Sequence, residues 1–193
     1  MGGEDVLNGG NGDDQIFGGE GQDVLNGDNG NDKLFGDLGA DVLIGGNGDD
    51  QLFGGAGDDF LIGENGNDLL VGGLGADILT GGNGRDTFQF AAGDSLLGSY
   101  DRITDLKIGT DIIDGPNAVS AANLLQLGAV ATFDGAGITA ILGALPAFRA
   151  ATFTFGAQTF LALNDGTAGF SASADTIVEI TGFSGRLDRL AVV

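Results

Sequence analysis

The chain has 193 residues, of which 39 are Gly, and its 28 acidic residues against seven Lys and Arg give a net charge of −21. It contains no Cys and no His, which excludes disulfides, thiolate sites and imidazole as a general base or zinc ligand. Nucleic acid and anionic membranes need a cationic surface, and no run of about 18 apolar residues could span a bilayer. We therefore predict no nucleic-acid partner, no membrane insertion, and cations as the natural counterpart of this chain.

Residues 1–89 form a tandem repeat with a period of nine. From residue 9 the blocks read GGNGDDQIF, GGEGQDVLN, GDNGNDKLF, GDLGADVLI, GGNGDDQLF, GGAGDDFLI, GENGNDLLV, GGLGADILT and GGNGRDTFQ. Residues 1–8 supply the end of a tenth block, so we expect the chain to be part of a longer protein. The sixth position is always Asp: Asp5, Asp14, Asp23, Asp32, Asp41, Asp50, Asp59, Asp68, Asp77 and Asp86. The eighth position is always large and apolar: Leu7, Ile16, Leu25, Leu34, Leu43, Leu52, Leu61, Leu70, Leu79 and Phe88.

This spacing predicts strands rather than a helix. Up to three Gly in each block, at about 1 kcal/mol each relative to Ala, would defeat a helix. The pattern favours a six-residue turn followed by a three-residue strand, in which the eighth position points inward and its neighbours point outward. Two blocks would make one turn of a flattened coil, with neighbouring strands about 4.8 Å apart. We therefore predict an all-β fold, with a right-handed parallel β-roll over residues 1–90.

Stacking of the turns would place the sixth-position Asp residues in two columns. Column A comprises Asp14, Asp32, Asp50, Asp68 and Asp86, and column B comprises Asp5, Asp23, Asp41, Asp59 and Asp77. Carboxylates about 5 Å apart repel each other by ~3 kcal/mol per pair at an effective dielectric constant of 20. A divalent cation between successive turns would turn this repulsion into attraction. Oxygen ligands without Cys or His, in flexible loops, favour calcium over zinc and magnesium.

Backbone carbonyls at positions one to four are expected to complete each site, because Gly permits the positive φ and the close approach that such a loop needs. Five loops on each edge leave four gaps, so we predict about eight calcium ions. Their charge would balance the net −16 that 18 acidic residues, Lys33 and Arg85 give to residues 1–90. The predicted ligands beside the Asp columns are Gly10, Asn11, Gly12, Gly19, Gly21, Asn29, Gly30, Gly39, Asn47, Gly48, Gly57, Asn65, Gly66, Gly75, Asn83 and Gly84.

The blocks resemble the GGxGxDxUx nonapeptide, with U large and aliphatic, of the RTX family of secreted bacterial proteins. Asp28, Asp37 and Glu64 depart from it at the second position, where their side chains either add ligand oxygens or are solvated. The resemblance implies a β-roll, calcium-dependent folding and export by the type I secretion machinery. It also implies a secreted or cell-surface location.

Residues 91–193 are predicted to form a small, mostly β capping domain. Its first part resembles the segment that follows the last repeat in RTX proteins, including the serralysin protease family. Four acidic residues there are either calcium ligands or turn caps: Asp101, Asp105, Asp111 and Asp114. We predict one or two short helices, over residues 120–127 with Ser120 as the N-cap and over residues 137–145. We also predict a hairpin over residues 151–163 and strands over residues 176–181 and 187–193.

The stretch TFTFGAQTFLALNDGTAGFSASADTIVEITGF resembles the "bluetail" C-terminal domain of bacterial surface proteins. That resemblance implies a terminal module of long extracellular proteins, with no known chemistry. Physically, such a tail would cap the open end of the roll, whose last strand would otherwise present unpaired backbone groups.

The two predicted sheets differ on their outer faces. One presents Gln and Phe, including a ladder of Phe17, Phe35 and Phe53 that is expected to stack. The other presents an apolar patch built around Val24, Val42, Phe60 and Ile78. We hypothesise that the tail or another subunit covers this patch; the alternative is that β-propensity alone places these residues on an exposed sheet.

Taken together, the residues and the RTX resemblance favour a non-catalytic, calcium-triggered folding and export module that forms the C-terminal part of a larger secreted or cell-surface protein. A second hypothesis is a structural surface component that self-assembles through the apolar patch. Catalysis is disfavoured because the acidic residues belong to periodic columns, although Asp and Glu alone can hydrolyse glycosides. Ice binding would require a Thr column beside the third-position Asn residues, and the sequence has none.

Overall fold

A computed structural model describes residues 2–91, 93–96, 98–115, 124–129, 150–163, 175–180, 183–185 and 191–192. These residues form 17 strands and no α-helix, which confirms the all-β prediction. Accordingly, nothing in the described ranges is a helix with the length and apolar character needed to cross a bilayer.

Nine strands of six residues make up most of the repeat region: β1 Val6–Asn11, β2 Gln15–Glu20, β3 Val24–Asn29, β4 Lys33–Leu38, β5 Val42–Asn47, β6 Gln51–Ala56, β7 Phe60–Asn65, β8 Leu69–Leu74 and β9 Ile78–Asn83. Three short strands follow: β10 Thr87–Gln89, β11 Asp101–Ile103 and β12 Ile112–Asp114. The tail contributes β13 Leu124–Ala129, β14 Ala150–Phe155, β15 Gln158–Leu163, β16 Thr176–Ile180 and β17 Ala191–Val192.

The strands of the repeat alternate between two parallel sheets. Odd-numbered strands pair with one another in one sheet, and even-numbered strands pair in the other. Partners are 18 residues apart, as in Leu7↔Leu25 and Phe17↔Phe35. Two nonapeptides therefore complete one turn, and the predicted β-roll is confirmed. The predicted Phe ladder is confirmed as well, because Phe35 stacks on Phe17 and on Phe53 with ring centroids 4.8 and 5.0 Å apart.

The predicted strand length of three residues is wrong. Pairing continues through the second and third positions of the next block, as in Gly10↔Asp28 and Asn11↔Asn29, so each strand has six residues. A second-position residue with positive φ, 97° at Gly10 and 71° at Asp28, turns the chain without ending the ladder. Backbone groups enclosed between stacked turns need hydrogen-bond partners, and the adjacent turns supply them.

A thin apolar core runs along the roll, and each strand contributes one large side chain to it. The eighth-position residues Leu25, Leu43 and Leu61 from one sheet and Leu34 and Leu52 from the other are fully buried. The seventh and ninth positions of each block point outward, as predicted from the period of two.

Strands of the tail continue both sheets at the end of the roll. β11 pairs with β9 and with β16, while β12 pairs with β10 and with β17. β14 and β15 form the predicted antiparallel hairpin, which turns at Gly156 with φ 61°. The last strands of the repeat therefore have backbone partners rather than open edges.

The helix predicted over residues 120–127 is wrong at residues 124–127, which lie in β13. β13 pairs with β14 in a parallel ladder, and this tertiary pairing overrides the local helix signal of the Ser120 cap. Residues 120–123 and the helix predicted over residues 137–145 lie outside the described residues. The strand predicted over residues 176–181 is present as β16, and β17 falls within the one predicted over residues 187–193.

The apolar patch on the outer face of the odd-numbered sheet stays partly open. Val24 is 37% exposed and Phe60 is 48% exposed, while Val42 and Ile78 are half-buried. The described strands of the tail pair edge to edge with the two sheets beyond the repeats, and they do not lie over this outer face. The expectation that the tail covers this patch is therefore not confirmed by the described strands.

Candidate metal centre

The sixth-position Asp side chains stack in columns A and B. From the second turn on, each carboxylate accepts a hydrogen bond from the backbone N–H of the Asp one turn earlier. In column A, Asp14 N–H donates to Asp32 Oδ1 at 2.7 Å. In column B, Asp41 N–H donates to Asp59 Oδ1 at 2.8 Å. One oxygen of every carboxylate from the second turn on is therefore fixed along the axis of the roll.

The other carboxylate oxygen, Oδ2, points back toward the first-position Gly of its own block. A Cβ placed on Gly54 would lie 2.3 Å from Asp59 Oδ2 and 2.6 Å from the carbonyl oxygen of Gly72, one turn on. The same arrangement recurs at Gly63, beside Asp68 Oδ2 and the Gly81 carbonyl oxygen. A side chain at this position would fill the space on which a carboxylate oxygen and a carbonyl oxygen converge.

All ten Oδ2 atoms of the two columns are buried, and none has a hydrogen-bond partner among the described residues. Asp41, Asp59 and Asp86 have no exposed surface, and the other column residues from Asp23 on are at most 2% exposed. A buried polar atom without a partner is costly, and nearly all such atoms in proteins are satisfied. A carboxylate oxygen is a preferred ligand of calcium, so these atoms fit a calcium ion.

Burial raises the pKa of the inner carboxyl groups. The pKa is about 6 for Asp50 and Asp77 and about 7 for Asp59 and Asp68. The hydrogen bond from the preceding turn lowers each value, and neighbouring carboxylates raise it again. Burial in the roll therefore shifts these carboxyl groups toward the neutral form relative to carboxyl groups in water.

Backbone oxygens would have to supply most of each coordination shell. In the part of the chain that the structure describes, no three acidic side chains come together as a metal-binding group. Calcium takes six to eight oxygen ligands, so two column carboxylates leave about four places for carbonyls. This balance agrees with the predicted ligand set, which remains a prediction at the level of individual carbonyls.

The predicted backbone ligands lie where successive loops approach closely. A Cβ on Gly30 would lie 2.1 Å from the carbonyl oxygen of Gly12, one turn earlier. Third-position carbonyls point along the stack as well, because Gly12 N–H donates to the Asn29 carbonyl at 2.7 Å and Gly30 N–H donates to Asn47 at 2.9 Å. Each of these two carbonyls keeps a second lone pair for a further interaction.

The third-position Asn side chains lie on the surface. Asn29 Nδ2 donates to Asn11 Oδ1 at 3.1 Å, and Asn47 Nδ2 donates to Asn29 Oδ1 at 3.0 Å. The ladder continues through Asn65 and Asn83. These amides bind one another along the edge of the roll, so any contribution of these residues to an ion would come from their backbone.

The three acidic residues that replace the second Gly have positive φ, between 71° and 73°: Asp28, Asp37 and Glu64. Asp37 and Glu64 are exposed, and Asp28 Oδ1 accepts a hydrogen bond from Asn26 Nδ2 at 2.9 Å. The sequence left open whether these side chains are calcium ligands or are solvated, and their positions agree with solvated side chains.

Two residues beyond the repeats continue the columns, which the nine-residue spacing did not reveal. Asp77 N–H donates to Asp101 Oδ1 at 2.9 Å, and Asp86 N–H donates to Asp111 Oδ1 at 3.2 Å. Asp101 and Asp111 are 0% and 2% exposed. A sequence signal was present, because both residues are followed two positions later by Ile, as in the Asp-x-aliphatic pattern of the blocks.

The other two acidic residues of this segment act as caps. Asp105 accepts hydrogen bonds from Gly81 N–H at 3.0 Å and from Gly82 N–H at 2.8 Å. Asp114 Oδ2 accepts one from Gln89 Nε2 at 2.6 Å. Their carboxylates satisfy donors at the last turn of the repeat.

The two columns end in different surroundings. Burial, followed by the charge of Asp77, raises the pKa of Asp101 to about 9, and its Oδ2 has no partner in the described ranges. Asp111 Oδ2 instead accepts a hydrogen bond from Lys107 N–H at 2.7 Å. The Lys107 ammonium donates to the carbonyl oxygen of Gly82, and its charge lowers the pKa of Asp86 and Asp111 against the effect of burial.

The repeat region matches a known family model. The model of the RTX calcium-binding nonapeptide repeat matches four segments: residues 1–34, 26–61, 35–70 and 62–97. Among solved structures, the chain is similar to the solution structures of two subunits, AlgE6R3 and AlgE6R2, of the mannuronan C5-epimerase from Azotobacter vinelandii. AlgE6R3 is 25% identical, with 100% of this chain and 78% of that chain covered and a TM-score of 0.45. AlgE6R2 is 25% identical, with 96% and 90% covered and a TM-score of 0.32.

No curated protein matches the chain. The family matches together cover residues 1–97, half of the 193 residues. The chain therefore belongs to the RTX family of calcium-binding nonapeptide repeat proteins.

Proposed function

We propose that this β-roll is a calcium-triggered folding module of a larger secreted or cell-surface protein. In this proposal, residues 1–90 form the calcium-binding roll and residues 91–193 cap its end. About eight ions lie between successive carboxylates of columns A and B, completed by backbone carbonyls of positions one to four. The observation that carries the proposal is the set of ten buried Oδ2 atoms without hydrogen-bond partners among the described residues.

The same charges explain how calcium would control folding. Without the ion, desolvation and mutual repulsion of the stacked carboxylates oppose the roll, as does the entropy of a chain with 26 Gly in its first 90 residues. In the cytosol, where calcium is scarce, the chain would stay unfolded and suited to export by the type I machinery. Outside the cell, the free energy of calcium binding would drive folding, and the folded chain could not slide back through the secretion machinery.

We assign the module a binding role rather than a catalytic one. Carboxylates that hydrolyse glycosides have to reach both faces of a sugar ring. Asp41 and Asp59 have no exposed surface, and the other inner carboxylates have almost none, so the columns are closed to such a substrate.

A calcium titration followed by calorimetry and far-UV circular dichroism on the same sample tests the proposal. We expect an unfolded spectrum in chelator, a β-sheet spectrum in calcium and binding of about eight ions in the repeats. Magnesium at the same concentration is the matched control, because it demands a smaller octahedral shell and should not support folding. A fully folded chain in chelator, or equal folding with magnesium, would contradict the proposal.

A second candidate function is a surface component that self-assembles through the apolar patch. It is favoured by the exposure of Val24 and Phe60 on an otherwise regular sheet. We expect the molecular mass of the wild-type chain in calcium to rise with concentration, and the double variant Val42→Lys and Phe60→Lys to remain monomeric. Sedimentation equilibrium measures both, and unchanged association of the double variant would exclude this candidate.

A further inference from the structure

Column A ends at Asp111, beside Lys107. Asp111, which takes the next place after Asp86, has both carboxylate oxygens in hydrogen bonds, with Asp86 N–H at 3.2 Å and with Lys107 N–H at 2.7 Å. The half-buried Lys107 side chain donates from its ammonium to the carbonyl oxygen of Gly82. Gly82 is the second residue of the last block, so this positive charge is bound to a carbonyl of the type expected to serve an ion.

Column B ends differently. Asp101 takes the next place after Asp77, with its Oδ1 accepting Asp77 N–H at 2.9 Å. Its side chain has no exposed surface, and its Oδ2 has no hydrogen-bond partner in the described part of the chain, as at the ten column Asp residues of the repeats. A cavity of about 290 Å³ lies beside this end of the column, and Asp77, Tyr100 and Arg102 are among its lining residues.

We propose that column B holds one more calcium site, between Asp77 and Asp101 and outside the nonapeptide pattern, whereas Lys107 supplies a built-in cation that closes the equivalent gap of column A. The inference rests on the proposed calcium binding of the columns. An ammonium group is a compact point charge with three donors, so it can bind the carbonyl and offset the adjacent carboxylates without a metal. Lys107 is held there by its own backbone, since its N–H binds Asp111.

The proposal changes the expected number of calcium ions, because the last gap of column B holds an ion and the last gap of column A does not. Column A has four gaps between its five Asp residues, and its fifth gap is closed by Lys107. Column B has four gaps and a fifth that ends at Asp101. The full chain should therefore bind nine calcium ions rather than the eight of the repeats alone.

Counting bound ions by native mass spectrometry in saturating calcium tests the first half of the proposal. We expect nine ions for the wild type, eight for Asp101→Asn and nine for the matched control Asp111→Asn. Circular dichroism in the same buffer verifies that each variant keeps the roll. If the wild type and Asp101→Asn bind equal numbers, the extra site does not exist; if the wild type binds none, the proposed function itself fails.

Terbium luminescence gives a second measurement that does not depend on counting. Tyr100 is the only Tyr in the chain, which has no Trp, and it directly precedes Asp101. Terbium bound at Asp101 would be sensitised by this ring. We expect the Tyr-sensitised emission to fall in Asp101→Asn and to stay at the wild-type level in Asp111→Asn. Equal emission from both variants would contradict a metal site at Asp101.

Variants of Lys107 test the second half. Lys107→Gln removes the charge, and Lys107→Arg retains it. We expect Lys107→Gln to bind one ion more than the wild type and Lys107→Arg to bind the same number. Loss of the roll in Lys107→Gln but not in Lys107→Arg would also support the cation role, because Lys107→Arg keeps the positive charge that Lys107→Gln removes. Identical ion counts and stability for the wild type and both variants would overturn it.

Discussion

Strands β5 and β15 both have six residues, yet they bury different groups. In β5, only Leu43 places a large side chain in the interior, and the turn before it adds the buried carboxylate of Asp41. In β15, the last four residues are all buried and all apolar, and every residue of the neighbouring β16 is buried. β15 and β16 therefore bury side chains on both faces, whereas each sheet of the roll buries one column of eighth-position residues and each edge buries one acidic column.

This difference predicts two sources of stability in one chain. Burial of apolar side chains contributes about 25 cal/mol per Å² and requires no ion. Buried carboxylates oppose folding until a cation compensates them. Variants of the roll should thus change calcium dependence, and variants of the tail should change stability at constant calcium binding.

The largest effect is expected from a large-to-small substitution in the tail. Phe153 is 1% exposed and packs on Phe160 with ring centroids 5.3 Å apart. Phe153→Ala should lower the free energy of unfolding by about 3–5 kcal/mol, through lost burial and a cavity. The ion count of the repeats should not change. Phe17→Ala is the control, since Phe17 is 51% exposed. Urea unfolding in saturating calcium measures both; an equal loss in both variants would contradict the comparison.

A glycine at the fourth position of the repeat should come next. Gly57 has φ +140°, and a Cβ there would lie 1.8 Å from the Gly39 carbonyl oxygen of the preceding turn. Gly57→Ala should therefore destabilise the calcium-bound roll by about 3 kcal/mol. A Cβ on Gly98 would meet no other atom within 4 Å, so Gly98→Ala should change stability by less than about 0.5 kcal/mol. Thermal unfolding of the two variants would disprove this account if their midpoints coincide.

Neutralising one column carboxylate should have a smaller effect that depends on calcium. Asp59→Asn retains the shape of the side chain but removes a charged ligand, which we expect to weaken the calcium-saturated roll by about 2 kcal/mol. More calcium should be needed for half-maximal folding. The adjacent Asp58 is exposed and accepts a hydrogen bond from Ala76 N–H at 2.9 Å, so Asp58→Asn is the control. Circular dichroism during a calcium titration compares them, and overlapping titration curves would argue against ligation by Asp59.

Acidification should act in opposite directions with and without calcium. Burial raises the pKa of Asp59 and Asp68 from 3.8 to about 7, so the folded state holds protons that the unfolded state releases. Without calcium, the roll should therefore gain stability as pH falls from about 7 toward 4 and lose it as pH rises. With calcium, protons compete with the ion, and affinity should fall on acidification. Far-UV circular dichroism in chelator at pH 5 and pH 8 follows the first effect, and calcium titrations at the same two pH values follow the second. More β-sheet in chelator at pH 8 than at pH 5 would contradict the burial of these groups.

The regular part of this fold follows from the sequence because the nine-residue period determines the strand register, the core positions and the Asp columns. A fixed nine-residue spacing places Leu25 under Leu43 and Asp23 under Asp41 without knowledge of any distant contact. The strand length does not follow, because it depends on Gly10 and its equivalents remaining in the ladder at positive φ.

The ends of the fold were less predictable because their contacts are not periodic. Asp101 and Asp111 join the columns at separations of 24 and 25 residues, which the repeat does not encode. Residues 124–127 carry a local helix signal, but their pairing with β14 decides their conformation. The role of Lys107 likewise depends on the Gly82 carbonyl, which lies 25 residues away.

Hydrogen exchange with and without calcium tests the central claim most directly, because it separates the roll from the tail. The N–H groups of Asp23, Asp32, Asp41 and Asp50 donate to the Asp one turn on, so their exchange reports the columns themselves. We predict that these amides are protected in calcium and exchange freely in chelator at pH 8. Equal protection in both conditions would show that the roll holds its carboxylate columns without calcium, and would contradict the account.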